Sequence, residues 1–268
     1  MSRRLTRFAL GGAGLGCALL LALAARGAAY PGDDPPEQVA FNPCTGPDRK
    51  QLRCPNFRMS KPRDLFVSRS PSGRRLLHAT SSINSVGFGP MEIRGIRISG
   101  TRLMRVNQRI HRRGGGKLSV RTEGRVAFYP IPGQYRYWKL RDAARFEIWS
   151  LGGRGKPLRR VRTGPKFYYC LRDLTRTKPS RRSPDHRVYP SCNQDPGKRA
   201  VVLGTSVGWS DIYPADYHEQ YINVTRLRGC YAFFLEADPK NHLRETNEGD
   251  NRSRALIRLP SGKRVRNC

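Results

Sequence analysis

Acidic residues are scarce in this chain. Its 268 residues include 20 Asp and Glu against 51 Lys and Arg, a formal charge of +31. Such a field disfavours basic partners and attracts anionic ones: nucleic acid, acidic polysaccharide, cell-wall polyanions or lipid head groups. Histidine is scarce too. His78, His111, His186, His218 and His242 are the only five, and no two fall within one strand or helix repeat. No two cysteines have the CxxC spacing of a zinc or redox site. After residue 25 no apolar run is long enough to cross a bilayer, which argues against an integral membrane protein. A long stretch of 3.6-residue periodicity is also missing. Apolar residues are not scarce: 37% of the chain is hydrophobic and 9% aromatic, enough for a core and against wholesale disorder.

The first residues read as an export signal rather than as fold. Arg3, Arg4 and Arg7 precede an apolar run from Phe8 to Ala25, and Gly27-Ala28-Ala29 supplies the small residues of a cleavage site. The alternative is a retained anchor. Cleavage after Ala29 removes four Arg and leaves 47 basic against 20 acidic side chains, +27. Export implies a secreted or cell-envelope location and an oxidising compartment. Six cysteines then remain: Cys44, Cys54, Cys170, Cys192, Cys230 and Cys268. An even number in an exported chain reads as three disulfides. Six allow fifteen connectivities; sequence proximity suggests Cys44–Cys54, Cys170–Cys192 and Cys230–Cys268.

Residues 30–60 are polar and Pro-rich, and read as a leader followed by a small Cys44–Cys54 loop. From residue 61 to 268 one domain is expected. Short segments alternate apolar and polar residues: Leu76–Ser82, Met91–Ile98, Met104–Ile110, Leu118–Tyr129, Phe146–Trp149, Phe167–Leu171, Val201–Val207, Tyr231–Leu235 and Ala255–Leu259. Gaps holding Gly, Pro, Asn and Ser separate many of them. This predicts an all-β fold, an immunoglobulin-like β-sandwich of short antiparallel strands with long loops. Thr175 to Pro196 breaks the rhythm with four Pro and no apolar run, and reads as a long surface loop tied by Cys170 and Cys192.

Four segments resemble the lysyl oxidase family in its shorter bacterial form, in order and spacing over roughly 200 residues. Pro62-Arg63-Asp64-Leu65 is similar to its Pro-Asp-Leu opening, and Lys166 through Cys170-Leu171-Arg172-Asp173 to its Lys-x-x-x-Cys-Leu-x-Asp. Gly208-Trp209-Ser210-Asp211-Ile212-Tyr213, followed by Gln220-Tyr221-Ile222-Asn223-Val224-Thr225, resembles a third segment, with its Gly-x-x-Asp-x-Tyr and Gln-Trp-Ile-Asp-Ile-Thr. Glu245-Thr246-Asn247-Glu248-Gly249-Asp250-Asn251 resembles a fourth. The resemblance implies oxidation of primary amines, typically peptidyl lysine, to aldehydes. It implies copper on a His-x-His-x-His strand and a quinone crosslinked from Lys166 and Tyr213. Alternate residues of a strand share a face, so that His spacing directs three imidazoles one way.

This chain departs from the pattern at the copper ligands, where Tyr135, Tyr137 and Lys139 stand in place of the three His. A protonated amine is a poor copper ligand, and a neutral phenol little better. These residues read either as a substituted binding platform or as strand residues filling the vacated volume. Lys166 and Tyr213 read as cofactor precursors or as a buried packing pair. Asp64, the Leu65 carbonyl, Glu245, Asn247, Asp250 and Asn251 offer hard oxygen ligands, and the resemblance implies a structural calcium site there; the alternative is an Asn- and Gly-rich turn. Basic residues cluster at Arg112–Lys117, Arg154–Arg162, Arg176–Arg182 and Lys263–Arg266.

Two functions follow from these expectations. One is a catalytically degenerate, secreted member of the family that binds anionic envelope or matrix material. The other is an active copper-dependent amine oxidase, with an altered metal site, a lysine tyrosylquinone cofactor and a protein-lysine or small amine substrate. A nucleic-acid binder rests on charge alone, and its binding would collapse with salt.

Overall fold

The computed structural model describes residues 42–268. The expected signal segment and residues 30–41 lie outside the described residues. Seventeen strands are present among the described residues, in the order β1 (Leu52–Arg53), β2 (Phe57–Met59), β3 (Arg63–Arg69), β4 (Arg75–Ser85), β5 (Met91–Arg97) and β6 (Leu103–Arg112). They continue with β7 (Lys117–Pro130), β8 (Arg136–Leu140), β9 (Ala144–Leu151), β10 (Pro157–Thr163), β11 (Thr175–Arg176) and β12 (Ala200–Thr205). The last are β13 (Trp209–Tyr213), β14 (Tyr221–Asn223), β15 (Gly229–Ala237), β16 (Arg252–Leu259) and β17 (Lys263–Val265).

The strands assort into three antiparallel sheets, so the all-β, disulfide-bonded architecture read from the sequence is the one observed. The first sheet runs β12-β5-β6-β7-β8 with β1 added on β6; the second runs β10-β9-β15-β16-β17. The third is built around β4, which pairs β14 and β13 on one edge and β3 and β2 on the other. Alternation decides which face goes inward. In β16, Ala255, Ile257 and Leu259 are buried while Arg252, Arg254 and Arg258 face out. One core cluster joins all three sheets through residues such as Ile83, Met104, Trp138, Phe146, Phe233 and Ile257.

The three cysteine pairs suggested by proximity are the pairs formed, with Cα–Cα distances of 5.6, 5.7 and 5.8 Å. The Cys44–Cys54 bridge closes the expected small loop, and the described residues up to 60 also join the sheets: β1 pairs β6 and β2 pairs β4, and Leu52 packs with Ile110 and Val120 in a second small core. Phe167–Leu171 is not a strand. It makes one isolated bridge, Tyr169 to Leu140, and turns at Leu171, where φ is +49°. The Thr175–Pro196 stretch is largely irregular, as expected, with the two-residue β11 at its start. Its anchor is the buried Asp173 carboxylate, which accepts from the backbone N–H groups of Val188, Tyr189 and Ser206.

Candidate functional site

Lys166 and Tyr213 meet in the core. Tyr213 ends β13; Lys166 follows β10 and precedes the Tyr169–Leu140 bridge. The Lys166 ammonium lies 4.4 Å from the Tyr213 ring centre, 5.1 Å from that of Tyr217 and 5.3 Å from that of Tyr169. Three aromatic faces around one cation form a box that stabilises it by its quadrupoles. The side chain is 1% exposed, and its closest hydrogen-bond acceptor is the His218 carbonyl at 3.4 Å. Burial and the nearby Lys139 pull its pKa down to about 7, against the opposing fields of Glu219 and Asp211. Tyr213 accepts a hydrogen bond from the Cys170 N–H at 3.1 Å, and burial holds its phenol well above the ordinary value.

Charge is concentrated around this pair. Lys139 on β8 is buried, with its ammonium 5.9 Å from the rings of Tyr129 and Tyr137. Burial lowers its pKa to about 8, although Asp211 and Glu219 oppose the shift. Asp211, two residues before Tyr213 and so on the same strand face, accepts one bond from the Leu171 N–H at 3.2 Å. Its other oxygen, Oδ1, has no hydrogen-bond partner. Burial raises its pKa to about 6 despite Arg172, Lys139 and Lys166. Glu219, at φ +63°, accepts from the Tyr129 hydroxyl at 2.5 Å. Gln220 Oε1 and the Tyr169 hydroxyl both bond the Ser81 hydroxyl, at 3.0 and 2.8 Å. Ser81, buried on β4, therefore has its hydroxyl satisfied by this polar interior.

The sequence-expected residues divide. Lys139, Tyr137, Lys166 and Tyr213 are brought to one interior site. Tyr135 is not: it sits in the turn before β8 and is 69% exposed, because the chain begins the strand only at Arg136. Asp211, Glu219 and Tyr169 join the site without having been singled out from the sequence. The Gly-x-x-Asp-x-Tyr spacing held the signal for Asp211, since i and i+2 share a strand face. Nothing in the local sequence marks Glu219.

The donors present do not suit copper. The substituted positions offer one buried ammonium, one half-buried phenol and one surface phenol. Among the described residues, no three His, Cys, Asp or Glu side chains converge as a metal-binding group.

The acidic loop is assembled differently from expectation. Asp64 is exposed, at φ +52°, and its ion-pair partner is Arg63 at 3.8 Å; Leu65 packs on the core. They do not meet the loop because β3 pairs with the half of β4 remote from it: Arg63 stands opposite Thr80, while β2 takes Ile83–Ser85. The segment that meets the loop is Asn56–Arg58. The Asn56 amide donates to Asp250 at 3.2 Å, its oxygen accepts from the Asn247 N–H at 2.8 Å, and Arg58 pairs Asp250 at 3.0 Å. The buried Glu245 carboxylate accepts from the Phe57 N–H and, at 2.9 Å, from Asn251. Burial, with Glu248 beside it, holds Glu245 well above the carboxylate range, and burial and Asp238 raise Glu248 to about 7. Asn247 caps the short 3-10 turn Glu248–Asp250 through the Gly249 N–H. Asn251 Oδ1 is buried without a partner. The Asn251 oxygen thus lies without a partner beside the Glu245 and Glu248 carboxylates, whose charge burial opposes; the three acids of the loop do not converge as a metal-binding group.

No family model matches the chain, and no curated protein matches it.

Proposed function

We propose that this is an exported, lysyl-oxidase-like protein whose copper centre is lost, and that it serves as a cationic binding module for anionic envelope or matrix material. The observation that carries this reading is Lys139. Its ammonium is buried within reach of the fields of Asp211 and Glu219, so this chain answers the site's negative charge with an amine of its own. Copper chemistry has no part in this reading, because the residues at 135, 137 and 139 do not fit the metal. A structural calcium ion at the Glu245–Asn251 loop belongs to the same reading; when bound it supplies the positive charge that those carboxylates lack.

The active amine oxidase is the second reading, supported by the 4.4 Å approach of Lys166 to the Tyr213 ring. One experiment separates the two. The exported protein is purified from copper-supplemented cells, its copper is quantified, and its peptides are mapped by mass spectrometry. The first reading expects copper far below one per chain and separate, unmodified peptides carrying Lys166 and Tyr213. A covalently joined pair overturns it in favour of the oxidase.

A further inference from the structure

Two of the basic clusters, distant in sequence, come together in space. Arg113, just beyond β6, and Arg181–Arg182, in the Thr175–Pro196 loop, line a cavity of about 470 Å³ together with Arg53, Phe88 and His111. The Arg182 and Arg113 guanidiniums stand 4.6 and 6.0 Å from the Phe88 ring centre, and Phe88 is itself 46% exposed. None of the four arginines has a carboxylate partner among the described residues. Elsewhere the chain neutralises such clusters: Arg145, Arg160 and Arg252 converge on the buried Glu147. The carboxylate connected to this groove, Glu92, bonds His111 but is already enclosed by Lys117 at 2.8 Å and Arg109 at 3.3 Å. The groove's charge is therefore left for something from outside.

The walls are fixed rather than loose. Phe88 and Gly89 donate to the Cys54 carbonyl at 2.8 and 3.1 Å, and Cys54 is disulfide-bonded to Cys44. Arg113 N–H donates to the Gln51 carbonyl at 2.8 Å. A Cβ at Gly89 would overlap the Arg53 carbonyl, so only glycine lets the floor approach β1. The Arg181–Arg182 turn is closed by Ser183 N–H on the Ser180 carbonyl at 2.9 Å. It is seated against Gly208, where Thr177 and Lys178 donate to the Gly208 carbonyl at 3.1 and 3.0 Å. A fixed backbone leaves only the arginine side chains to be ordered on binding.

We propose that this groove binds the tetrahedral ester groups, sulfate or phosphate, of an anionic glycan. The proposal deepens the binding half of the function proposed above and rests on it. Guanidinium forks match tetrahedral oxyanions in bidentate fashion, which a lysine cluster would not. The volume falls in the ~300–1,000 Å³ range of ligand clefts, which suits a substituted saccharide unit rather than a bare ion. Phe88 is already engaged by two guanidiniums, so the groove lacks the free aromatic platform on which single-stranded nucleic acid stacks.

The test compares two charge-matched triple variants with the wild type at physiological salt. One is Arg113→Gln, Arg181→Gln, Arg182→Gln. The other, Arg154→Gln, Lys156→Gln, Arg159→Gln, removes three exposed charges from the β9–β10 turn and the start of β10. Probes are heparin, a phosphomannan, hyaluronate as a carboxylate-only glycan, and oligo-dT. The groove variant is expected to lose tenfold or more in affinity for whichever of heparin and phosphomannan binds, which also names the ester. The turn variant should lose threefold or less, and hyaluronate should bind at least tenfold more weakly. An unchanged thermal midpoint confirms that the exposed substitutions leave the fold intact, and Arg182→Gln alone gives a smaller loss in the same direction. Equal losses in both triples overturn the groove, leaving a diffuse field as the binder. Oligo-dT binding that is tightest and groove-dependent overturns the ligand class. Absence of binding to all four probes overturns both the groove and the binding function on which it rests.

Discussion

The Lys166 ammonium sits over the face of the Tyr213 ring, 4.4 Å from its centre, in an interior that also holds Lys139, Asp211 and Glu219. Two amines share this space with two carboxylates, yet neither amine makes a close ion pair. Lys166 bonds only a backbone carbonyl, at 3.4 Å. Burial is thus the first cause of both lowered amine pKa values.

That arrangement makes Lys166 a cost to stability at neutral pH while the pair remains uncrosslinked. The folded pKa is about 7 against an ordinary 10.5. Between these values the unfolded chain binds more protons than the folded one, so stability rises with pH across the window from about 7 to 10.5. Lys166→Met, which keeps the length without the charge, should raise unfolding free energy at pH 7 by about 1–4 kcal/mol. The gain should shrink as pH approaches 10.5. Chemical denaturation of both proteins across that range checks it; a variant that is less stable at pH 7 would mean that the aromatic box outweighs desolvation.

Glu92 behaves in the opposite sense. It is buried on β5 and bonded by Lys117, His111 and the Tyr189 hydroxyl, which bring its pKa down to about 2 against desolvation. A depressed carboxylate contributes stability that is present above its ordinary 4.5 and is lost as pH falls through about 2. Glu92→Gln should cost about 1–3 kcal/mol at pH 7, because it strands the cations around it. The variant's stability should also fall less steeply than the wild type's between pH 4.5 and 2. Urea midpoints at a series of acidic pH values provide the comparison.

Most of the sheet framework was legible because its strands alternate. β7 buries Val120, Thr122, Gly124 and Val126 with Arg121, Glu123 and Arg125 between, and β16 buries Ala255, Ile257 and Leu259; that period of two survives in any fold that buries one face. The short strands β2, β13 and β14 were not legible: each is five residues or fewer and owes its pairing to a partner distant in sequence, β4. Phe167–Leu171 misled for the converse reason. Its aromatic run looks like a strand, but Leu171 takes a left-handed backbone and Tyr169 points into the polar interior to reach Ser81. Within the site, Lys166 and Tyr213 were identifiable from motif spacing, whereas Asn56 was not. Asn56 reaches the acidic loop only because β2 pairs with the end of β4, a register no local pattern reports.

The acidic loop makes a calcium prediction. If the weak extracellular class applies, with Kd near ~10⁻⁴ M, then roughly 10 mM calcium should stabilise the folded state by about 2.7 kcal/mol through mass action. Thermal unfolding with calcium and with chelator should separate accordingly. Asn251→Ala removes the orphaned oxygen and should abolish the difference, while Asp64→Ala, on the exposed edge of β3, should leave it intact. Loss of the calcium effect in the Asp64 variant would restore the ligand set that the motif resemblance implied.

The Cys170–Cys192 bridge ties the site to the long loop. Cys170 N–H donates to the Tyr213 hydroxyl, and Cys192 closes a 22-residue separation that includes Arg181 and Arg182. In the chain-entropy account a loop of this size is worth about 3 kcal/mol through the unfolded state. Cys170→Ser with Cys192→Ser should therefore lower stability by about 2–5 kcal/mol. The consequences should not stop at the global midpoint. Asp173, three residues after Cys170, holds the far part of the loop through the Val188 and Tyr189 N–H groups. That anchor survives the double substitution, so the loop should remain docked near Tyr189 and open between the Asp173 anchor and residue 192. Hydrogen exchange is the decisive measurement. Faster exchange at the Trp138 N–H, which bonds the Asn193 carbonyl at 3.0 Å, with continued protection of Val188 and Tyr189, would show a loop pinned at two independent points. Uniform loss of protection across 173–196 would show that the disulfide alone holds it.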